Sequence, residues 1–575
     1  MRQNLNEMKN LFLKMMAAAA VLGGCSSTKA VSDDNGMVIG AYVMGVRNEL
    51  PDVDLVTHVN FAFGHVNETF DGVLLPDSTG LRQIAGLKAQ KPALKVLLSV
   101  GGWGSGRFSE MAADSLKRKS FSEDCGKIVE KYGIDGIDID WEYPGSDMAG
   151  ISASPDDKGN FTLLMRDLRT ALGTGRLLTL ASVCNAEYID FKAILPYVDY
   201  VNVMSYDMGY DGTHHAALYR SEHAGYCTAD EAVRKHIAAG VPPTMIVMGM
   251  PFYGRSTGGG YTAYSEKRPE GIEFWDDTAK VPMVLDSEGV MLLGYENEKS
   301  ISEKCRYIVD HGLRGGMYWE YNVDNASHDL ASTVHDGLAG ASPMKHVLVV
   351  AEGGGHHKAF TDVAVPWLDS AAREKGIAVS EIRNMNNVTA RFLDSFDAFV
   401  QLDFPPYTWP EEAEDAFISY IEDGKGGYVG FHHATLIGEF DGWPMWKWFS
   451  DFMGGIRFKS YVADLAAGDV HVEDAEHPVM SGVSKSFTIP DDEWYTYDVN
   501  PRNADYIHVL AAVDENSYSP MTEVKMGDHP VIWTNTSVKA RNVYFQFGHS
   551  PKLLDNADFR TLLLNSVNWA AGNDK

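Results

Sequence analysis

Three carboxylic acids alternate with other residues in one short stretch of the chain. Residues 134–145 read IDGIDIDWEYPG, which places Asp138, Asp140 and Glu142 two positions apart. On an extended strand alternate side chains share a face, so the three acids would lie on the same face. Carboxylates this close in a partly desolvated site cannot all ionise at neutral pH, and at least one pKa is raised. The spacing predicts a general acid, with Glu142 as the candidate; the alternative is an acidic rim or a site for a hard cation.

Strands must position these acids, and the first half of the chain has the pattern to supply them. Short apolar runs recur there with helix-like segments between them. They predict strands at Val38–Met44, Val56–Phe63, Lys95–Val100, Gly133–Glu142, Leu177–Val183, Tyr200–Tyr206, Met245–Phe252 and Gly316–Trp319. Eight such units predict a (β/α)8 TIM barrel, whose active residues lie at the carboxyl ends of the strands.

The length and net charge of the chain limit its domain organisation and its binding partners. A chain of 575 residues is too long for one ordinary core, so we expect two domains. The net charge of −30 argues against binding of nucleic acid, whose phosphates would be repelled, and against adsorption to anionic lipid by charge. Neutral partners such as glycans remain open.

The acid stretch resembles the signature of a known family. Asp135, Asp138, Asp140 and Glu142 fit the D-x-x-D-x-D-x-E pattern of the family-18 glycoside hydrolases, the chitinase family. The ends of four other predicted strands resemble further motifs of that family, and the resemblance covers about residues 37–338. The substrate-binding residues expected from it, with neighbouring strand-end aromatics, are Tyr42, Phe63, Ser99, Gly102, Trp103, Tyr143, Met204, Tyr253, Arg255 and Trp319.

The resemblance implies an acid and base but no carboxylate nucleophile. All the motif acids lie on one predicted strand, so none obviously reaches the opposite sugar face at the roughly 5–5.5 Å that a nucleophile needs. In the family the substrate's own 2-acetamido oxygen takes that role, with retention of configuration. Glu142 would then protonate the glycosidic oxygen and later activate water. Asp140 would hold the acetamido N–H, and Asp138 would share a proton beneath it.

The remaining roles come from the same resemblance. Tyr206 and Asp207 would position the acetamido group, and the indole of Trp319 would seat the sugar ring on its apolar face.

The expected substrate is chitin or a chito-oligosaccharide, and the barrel needs no cofactor. Two alternatives stay open: an endo-β-N-acetylglucosaminidase acting on N-glycans, and a chitinase-like lectin that binds without cleaving. Such lectins usually lack the acid.

The N-terminus predicts export and a lipid anchor. Residues 1–24 read as a signal peptide, because two lysines precede an apolar run too short to span a bilayer. Leu22–Cys25 resembles the bacterial lipobox, which implies acylation of Cys25; the alternative is cleavage nearby with Cys25 unmodified. Residues 25–36 would be a tether. We therefore expect a cell-envelope lipoprotein at the outer membrane of a Gram-negative bacterium, touching the membrane only through this anchor.

A second domain is predicted over residues 344–572. Lys345–Val350 is a continuous apolar strand, and Phe396–Leu402 and Tyr428–Phe431 read as parallel strands with the helix Glu411–Ile421 between them. This order predicts a flavodoxin-like α/β sheet. The run 427–434 and later motifs resemble the ThuA-like, trehalose-utilisation domain of the class I glutamine-amidotransferase-like fold.

Histidines are concentrated near the predicted strand ends of this domain. Residues 343–575 contain no cysteine, which excludes thiol chemistry there. A divalent metal or a sugar could be held by His356, His357, His432, His433, His477, Glu493 and His549, and His529 belongs to the same group. The alternative is that each is a hydrogen-bonded structural histidine. We expect a carbohydrate-related role for this domain.

Overall fold

The computed structural model describes residues 36–47, 49–462 and 464–573. The predicted signal peptide 1–24, the acylation candidate Cys25 and all but the last residue of the tether 25–36 lie outside the described residues. Within the described residues, no helix combines the length and the apolar character needed to cross a membrane.

Eight parallel strands form the core of the first domain. They are β1 (Val38–Met44), β2 (His58–Val66), β3 (Lys95–Gly101), β4 (Gly136–Asp140), β5 (Leu177–Val183), β6 (Tyr200–Met204), β7 (Ile246–Pro251) and β8 (Gly315–Trp319). Each strand pairs with the next, and β1 also pairs with β8, which closes the ring. The surrounding helices are Ser78–Gly86, Phe108–Ala113, Ser115–Tyr132, Asp157–Leu172, Phe191–Ile194, Ala229–Ala238, Glu298–Asp310 and Asp329–Leu338. The predicted barrel is confirmed.

Strand β4 is shorter than the sequence predicted. It ends at Asp140, so Glu142 lies in the loop that follows rather than on the strand itself. Trp141 still follows the alternation, since it is buried in the same apolar cluster as Ile137 and Ile139 and stacks on Phe108 with 5.3 Å between ring centroids. The alternation still places Asp138 and Asp140 on the same side of the strand.

A small antiparallel sheet is inserted between β7 and β8. Its strands are Tyr253–Ser256, Tyr261–Ala263, Ile272–Asp276, Val281–Leu285 and Met291–Gly294. A fully buried ion pair between Glu296 and Lys304 joins the end of this insertion to the helix Glu298–Asp310. Lys304 Nζ also donates a hydrogen bond to the carbonyl oxygen of Ala216, at 2.7 Å. The pair therefore connects the insertion, a barrel helix and the loop after β6.

The second domain contains a nine-stranded mixed sheet. Its strands are β9 (Lys345–Ala351), β10 (Ile377–Ile382), β11 (Ala398–Leu402), β12 (Gly427–Phe431), β13 (Ala466–Val472), β14 (Ser486–Asp492), β15 (Ile507–Ser519), β16 (Pro530–Asn535) and β17 (Asn542–Phe545). The five parallel strands run in the order β10-β9-β11-β12-β17, which is the flavodoxin-like order that the sequence predicted. The antiparallel extension β16-β15-β13-β14 was not predicted. The helices are Lys358–Arg373, Ala390–Leu393, Glu411–Glu422, Lys447–Phe452 and Ala557–Ala570.

The two domains share a packed boundary. The barrel helix Ala229–Ala238 lies against β10, the edge strand of the second sheet. Asn387 Nδ2 donates to the carbonyl oxygen of Ala238 at 2.9 Å, and Lys192 forms an ion pair with Glu412 at 2.6 Å. One continuous apolar cluster contains side chains from both domains.

We predict that Lys304→Met destabilises the chain by about 3–5 kcal/mol, because it leaves the carboxylate of Glu296 buried without its cation. The double variant Lys304→Met/Glu296→Gln removes both charges and should recover part of that loss. Urea unfolding followed by circular dichroism measures both midpoints. Equal midpoints for the wild-type protein and Lys304→Met would contradict the prediction.

Candidate active site

Asp138 is fully buried inside the barrel and accepts hydrogen bonds from four strands. Its Oδ2 accepts from Tyr42 Oη at 2.9 Å and from Ser99 Oγ at 2.8 Å. Its Oδ1 accepts from Thr179 Oγ1 at 2.6 Å and from Asn202 Nδ2 at 3.1 Å. Burial raises the pKa of Asp138, while these donors act in the opposite direction by stabilising the ionised form. Four donors and no free acceptor position fit an ionised carboxylate.

Asp140 lies on the same side of β4 in a different environment. It is 5% exposed, and its Oδ1 has no hydrogen-bond donor. Burial and then the neighbouring charges of Glu142 and Asp138 raise the pKa of Asp140 well above its usual range. The sequence predicted that Asp138 would share a proton beneath Asp140, and the four donors to Asp138 favour Asp140 as the member of the pair that carries it.

Glu142 stands beyond the end of β4, on the wall of the main cavity. Burial raises the pKa of Glu142 to about 7; a hydrogen bond with Tyr143 opposes the rise and the charge of Asp207 adds to it. A carboxyl group with this pKa exists in both protonation states near neutral pH. It can therefore act first as an acid and then as a base.

Asp207 supplies a fixed negative charge to the same cavity. Its backbone has a φ of 56°, and Arg255 binds both carboxylate oxygens, at 2.7 and 2.8 Å. His215 Nδ1 lies 3.4 Å from Oδ1. Burial alone would raise the pKa of Asp207, but His215 and Arg255 hold it below its usual range. Asp207 is thus ionised while Glu142 titrates.

The cavity at the carboxyl ends of the strands has a volume of about 760 Å³. Aromatic rings form much of its wall: Trp319 stacks on Phe63 with centroids 5.6 Å apart, and Tyr42 lies 5.8 Å from Trp319. Trp103 at the rim is 61% exposed. The predicted residues that line the cavity are Tyr42, Phe63, Trp103, Asp140, Glu142, Tyr143, Met204, Tyr206, Asp207, Tyr253, Arg255 and Trp319. Flat rings beside carboxylates suit a ligand with apolar faces and polar edges.

Two residues predicted to bind substrate have supporting positions instead. Ser99 is fully buried and donates to Asp138, so its hydroxyl cannot reach a ligand in the cavity. Gly102 packs under the ring of Phe63, where a Cβ would lie 2.8 Å from a ring carbon, and its N–H donates to the carbonyl oxygen of Asp140. Ser99 and Gly102 therefore support other residues of the site, and the direct substrate contacts predicted for them are wrong.

Several residues of the site were not predicted. Thr179 and Asn202 hold Asp138, and His215 holds Asp207. None belongs to a recognisable spacing pattern, because each depends on the register of a strand or the path of a loop distant in sequence. Thr179 and Asn202 could have been suspected only as polar residues inside otherwise apolar strands.

The second domain has its own cluster at the carboxyl edge of the parallel strands. His357 follows β9, His432 and His433 follow β12, and His549 follows β17. The ring centroid of His357 lies 4.9 Å from that of His432, 3.9 Å from that of His433 and 4.6 Å from that of His549. Glu493, which follows β14, lies 3.3 Å from His432 Nε2. The structure thus brings five of the predicted residues together, with His356 exposed beside them.

Two of the grouped histidines do not belong to this cluster. His477 precedes a short turn on the antiparallel side of the sheet, where its Nδ1 accepts from Val479 N and its ring packs on Trp569 at 4.8 Å. His529 is buried between Glu515 and the carbonyl oxygen of Tyr495. Both make their hydrogen bonds elsewhere, so the structure does not bring His477 into the predicted cluster.

Comparison with known proteins identifies relatives for each half. Residues 33–324 match the model described as Glycosyl hydrolases family 18, and residues 346–570 match the ThuA model, described as Trehalose utilisation. Chitinase A1 of Niallia circulans is 32% identical over 304 residues, which are 43% of this chain and 43% of that protein. An endochitinase of Manduca sexta is 30% identical over 381 residues, which cover 54% of this chain and 68% of that protein.

A solved structure of a family 18 N-acetylglucosaminidase from Paenibacillus barengoltzii is also similar. It is 35% identical, with a TM-score of 0.49, and the match covers 53% of this chain and 100% of that one. The chain therefore spans less than half of the length of the bacterial chitinase and all of this solved chain.

We predict that Asp207→Asn lowers the pKa of Glu142 below its value of about 7, because a nearby negative charge that opposes ionisation is removed. Infrared difference spectroscopy of the carboxyl stretch during a pH titration measures this, with Glu142→Gln identifying the band. Asp211→Asn, which changes another aspartate on the cavity wall, is the matched control and should leave that pKa in place. An unchanged titration in Asp207→Asn would refute the coupling.

Proposed function

The chain belongs to the family 18 glycosyl hydrolases, and we propose that its barrel cleaves β-1,4 bonds after N-acetylglucosamine in chitin or chito-oligosaccharides. The observation that carries the proposal is Glu142, a glutamate with a pKa raised to about 7 at the end of a barrel strand, in a cavity walled by Trp319. The names of the chitinases from Niallia circulans and Manduca sexta support a chitin-type substrate.

In the first step the proton of Glu142 passes to the glycosidic oxygen as the bond from that oxygen to C1 breaks. The substrate's acetamido oxygen attacks C1 and forms an oxazolinium ion. A protein nucleophile is not needed, and the cavity offers none that is free: Asp140 is the protonated acid and Asp207 is held by Arg255. Asp140 can hold the acetamido N–H, and its negative neighbour Asp138 offsets the developing positive charge.

In the second step Glu142, now ionised, takes a proton from water as the water oxygen attacks C1. The oxazolinium ring opens, the acetamide is restored and Glu142 regains its proton. Two inversions at C1 give retention of configuration. A pKa of about 7 suits both steps, because the same group must donate in one and accept in the other.

The aromatic side chains of the cavity wall position the sugar ring of the substrate. Trp319, stacked on Phe63, offers a flat apolar surface to the C–H face of the sugar. Tyr206 and Asp207 also line the cavity, where they would orient the acetamido group. A binding protein without turnover would need none of the proton chemistry, so the presence of Glu142 in this setting favours an enzyme over a lectin. The carbohydrate-related role of the ThuA-like domain is part of the same proposal.

We expect Glu142→Gln to lower hydrolysis of chitotetraose and of an aryl chitobioside by about 10²–10⁴-fold, because the amide cannot donate the proton. Glu68→Gln, a change at a side chain that is 88% exposed, is the matched control and should act as the wild-type protein does. If Glu142→Gln cleaves at the wild-type rate, the assignment of the acid fails. Binding of the oligomer without cleavage by the wild-type protein would mean a lectin.

Substrate assistance makes a second prediction. The fully deacetylated glucosamine tetramer should not be cleaved, since it has no acetamido oxygen to attack C1. The measurement is product release from the two tetramers at equal concentration, with a high-mannose glycoprotein as a third substrate. Comparable cleavage of the deacetylated tetramer would overturn the mechanism, and cleavage of the glycoprotein alone would replace chitin by N-glycans as the substrate.

A further inference from the structure

We propose that the second domain binds a divalent transition-metal ion of the zinc type through His357, His432 and Glu493. These residues lie at the carboxyl edge of the parallel strands, beside the point where the strand order reverses between β9 and β11. Ligands of open α/β sheets bind at that point. The site is separate from the barrel cavity and from the chemistry of Glu142.

The three side chains converge closely enough to share an ion. One ligand atom from each of His357, His432 and Glu493 lies within 4.8 Å of the other two. Ligand atoms bound at 2.0–2.2 Å in a tetrahedral zinc site are roughly 3.3–3.6 Å apart. The separation of 3.3 Å between His432 Nε2 and Glu493 Oε2 already lies in that range.

Hydrogen bonds fix the orientation of His432. Its Nδ1 lies 2.9 Å from the carbonyl oxygen of Gln546, and since a carbonyl only accepts, Nδ1 carries the hydrogen. The neutral ring therefore has its lone pair on Nε2. That atom is buried without a hydrogen-bond partner and lies 3.3 Å from Glu493 Oε2. A buried ring nitrogen with a free lone pair is costly unless something binds it.

His357 repeats the same arrangement with a carboxylate in place of the carbonyl. Its Nδ1 lies 2.6 Å from Glu352 Oε2, and its Nε2 is buried without a partner. A histidine that donates one N–H to a carboxylate and keeps the other nitrogen for an ion is the usual arrangement around protein-bound metals. Two independently oriented rings thus present unpaired nitrogens to the same place.

Glu352 is better placed as a supporting residue than as a ligand. Glu352, His357 and His433 also have atoms within 4.8 Å of one another, which gives a second candidate set. In that set, however, Glu352 already accepts the hydrogen bond from His357 Nδ1, on the far side of the ring from its free nitrogen. The first set leaves this bond intact, so we assign the ion to His357, His432 and Glu493.

The type and number of the three ligands indicate which metal ion binds and whether a coordination position stays open. Two imidazole nitrogens and one carboxylate oxygen suit zinc and its neighbours in the first transition row, and they do not suit calcium or magnesium. Three protein ligands are the number found in zinc sites that also bind water or a substrate oxygen, whereas closed structural sites use four. Asp403, at the end of β11, is fully buried and both its carboxylate oxygens lack a partner. It is a further buried polar group without a partner at the same edge of the sheet.

The test uses the full chain without a polyhistidine tag. Competition with a chromophoric chelator measures the affinity for Zn²⁺, and mass spectrometry of the metal gives the stoichiometry. We expect about one Zn²⁺ per chain, lost in His432→Ala and Glu493→Gln. Glu352→Gln should keep the site with an affinity lowered by about 10–100-fold, as for other supporting residues. His477→Ala is the matched control, a histidine of the same domain outside the cluster, and should bind as the wild-type protein does.

Replacement of zinc by Co²⁺ in the wild-type protein supplies a measurement that needs no variant. Visible absorption bands of the intensity of a four-coordinate nitrogen and oxygen site would support the assignment. Circular dichroism establishes that each variant is folded before its affinity is compared. No Zn²⁺ bound by the wild-type protein, or equal affinity in the wild-type protein and folded Glu493→Gln, would overturn the proposal.

Discussion

The carboxylate of Asp138 ties four strands of the barrel to one point. Burying a charge in a barrel interior is expensive, and hydrogen bonds to a charged group, worth about 1.5–3 kcal/mol each, are what offset that cost. Tyr42, Ser99, Thr179 and Asn202 each supply one from a different strand. The register of these strands and the ionisation of Asp138 therefore depend on each other.

Burial and neighbouring charges set the protonation of the acids at the mouth of the barrel. Asp140 lies between Asp138 and Glu142 with no donor on one of its oxygens, so ionising it would place three negative charges in a row. Glu142, farther out, is shifted less and titrates near neutrality. Asp207, kept ionised by His215 and Arg255, also raises the pKa of Glu142 by its charge. Burial is thus the main cause of the raised pKa of Glu142, and the ionised Asp207 adds to it.

The parts of the site that lie close together in sequence could be predicted, and the parts assembled from distant segments could not. Alternation within 134–145 was enough to identify Asp138, Asp140 and Glu142, and apolar runs were enough to identify the barrel strands. No local pattern marks Thr179, Asn202 or His215, since their role exists only once strand register and loop path are fixed. The position of His477 could not be predicted for the same reason, because the loop between β13 and β14 carries it away from the cluster and against Trp569.

The barrel helix Ala229–Ala238 covers the edge strand β10, and the solubility of the second domain depends on this contact. An edge strand has unpaired backbone N–H and C=O groups that can extend a sheet into another molecule. In the intact chain the helix lies over that edge, and Arg234 of the helix approaches Glu381 of the strand at 4.0 Å. The second domain produced alone would expose this strand and the apolar surface beside it. The barrel thus protects its neighbour from aggregation by edge-to-edge pairing.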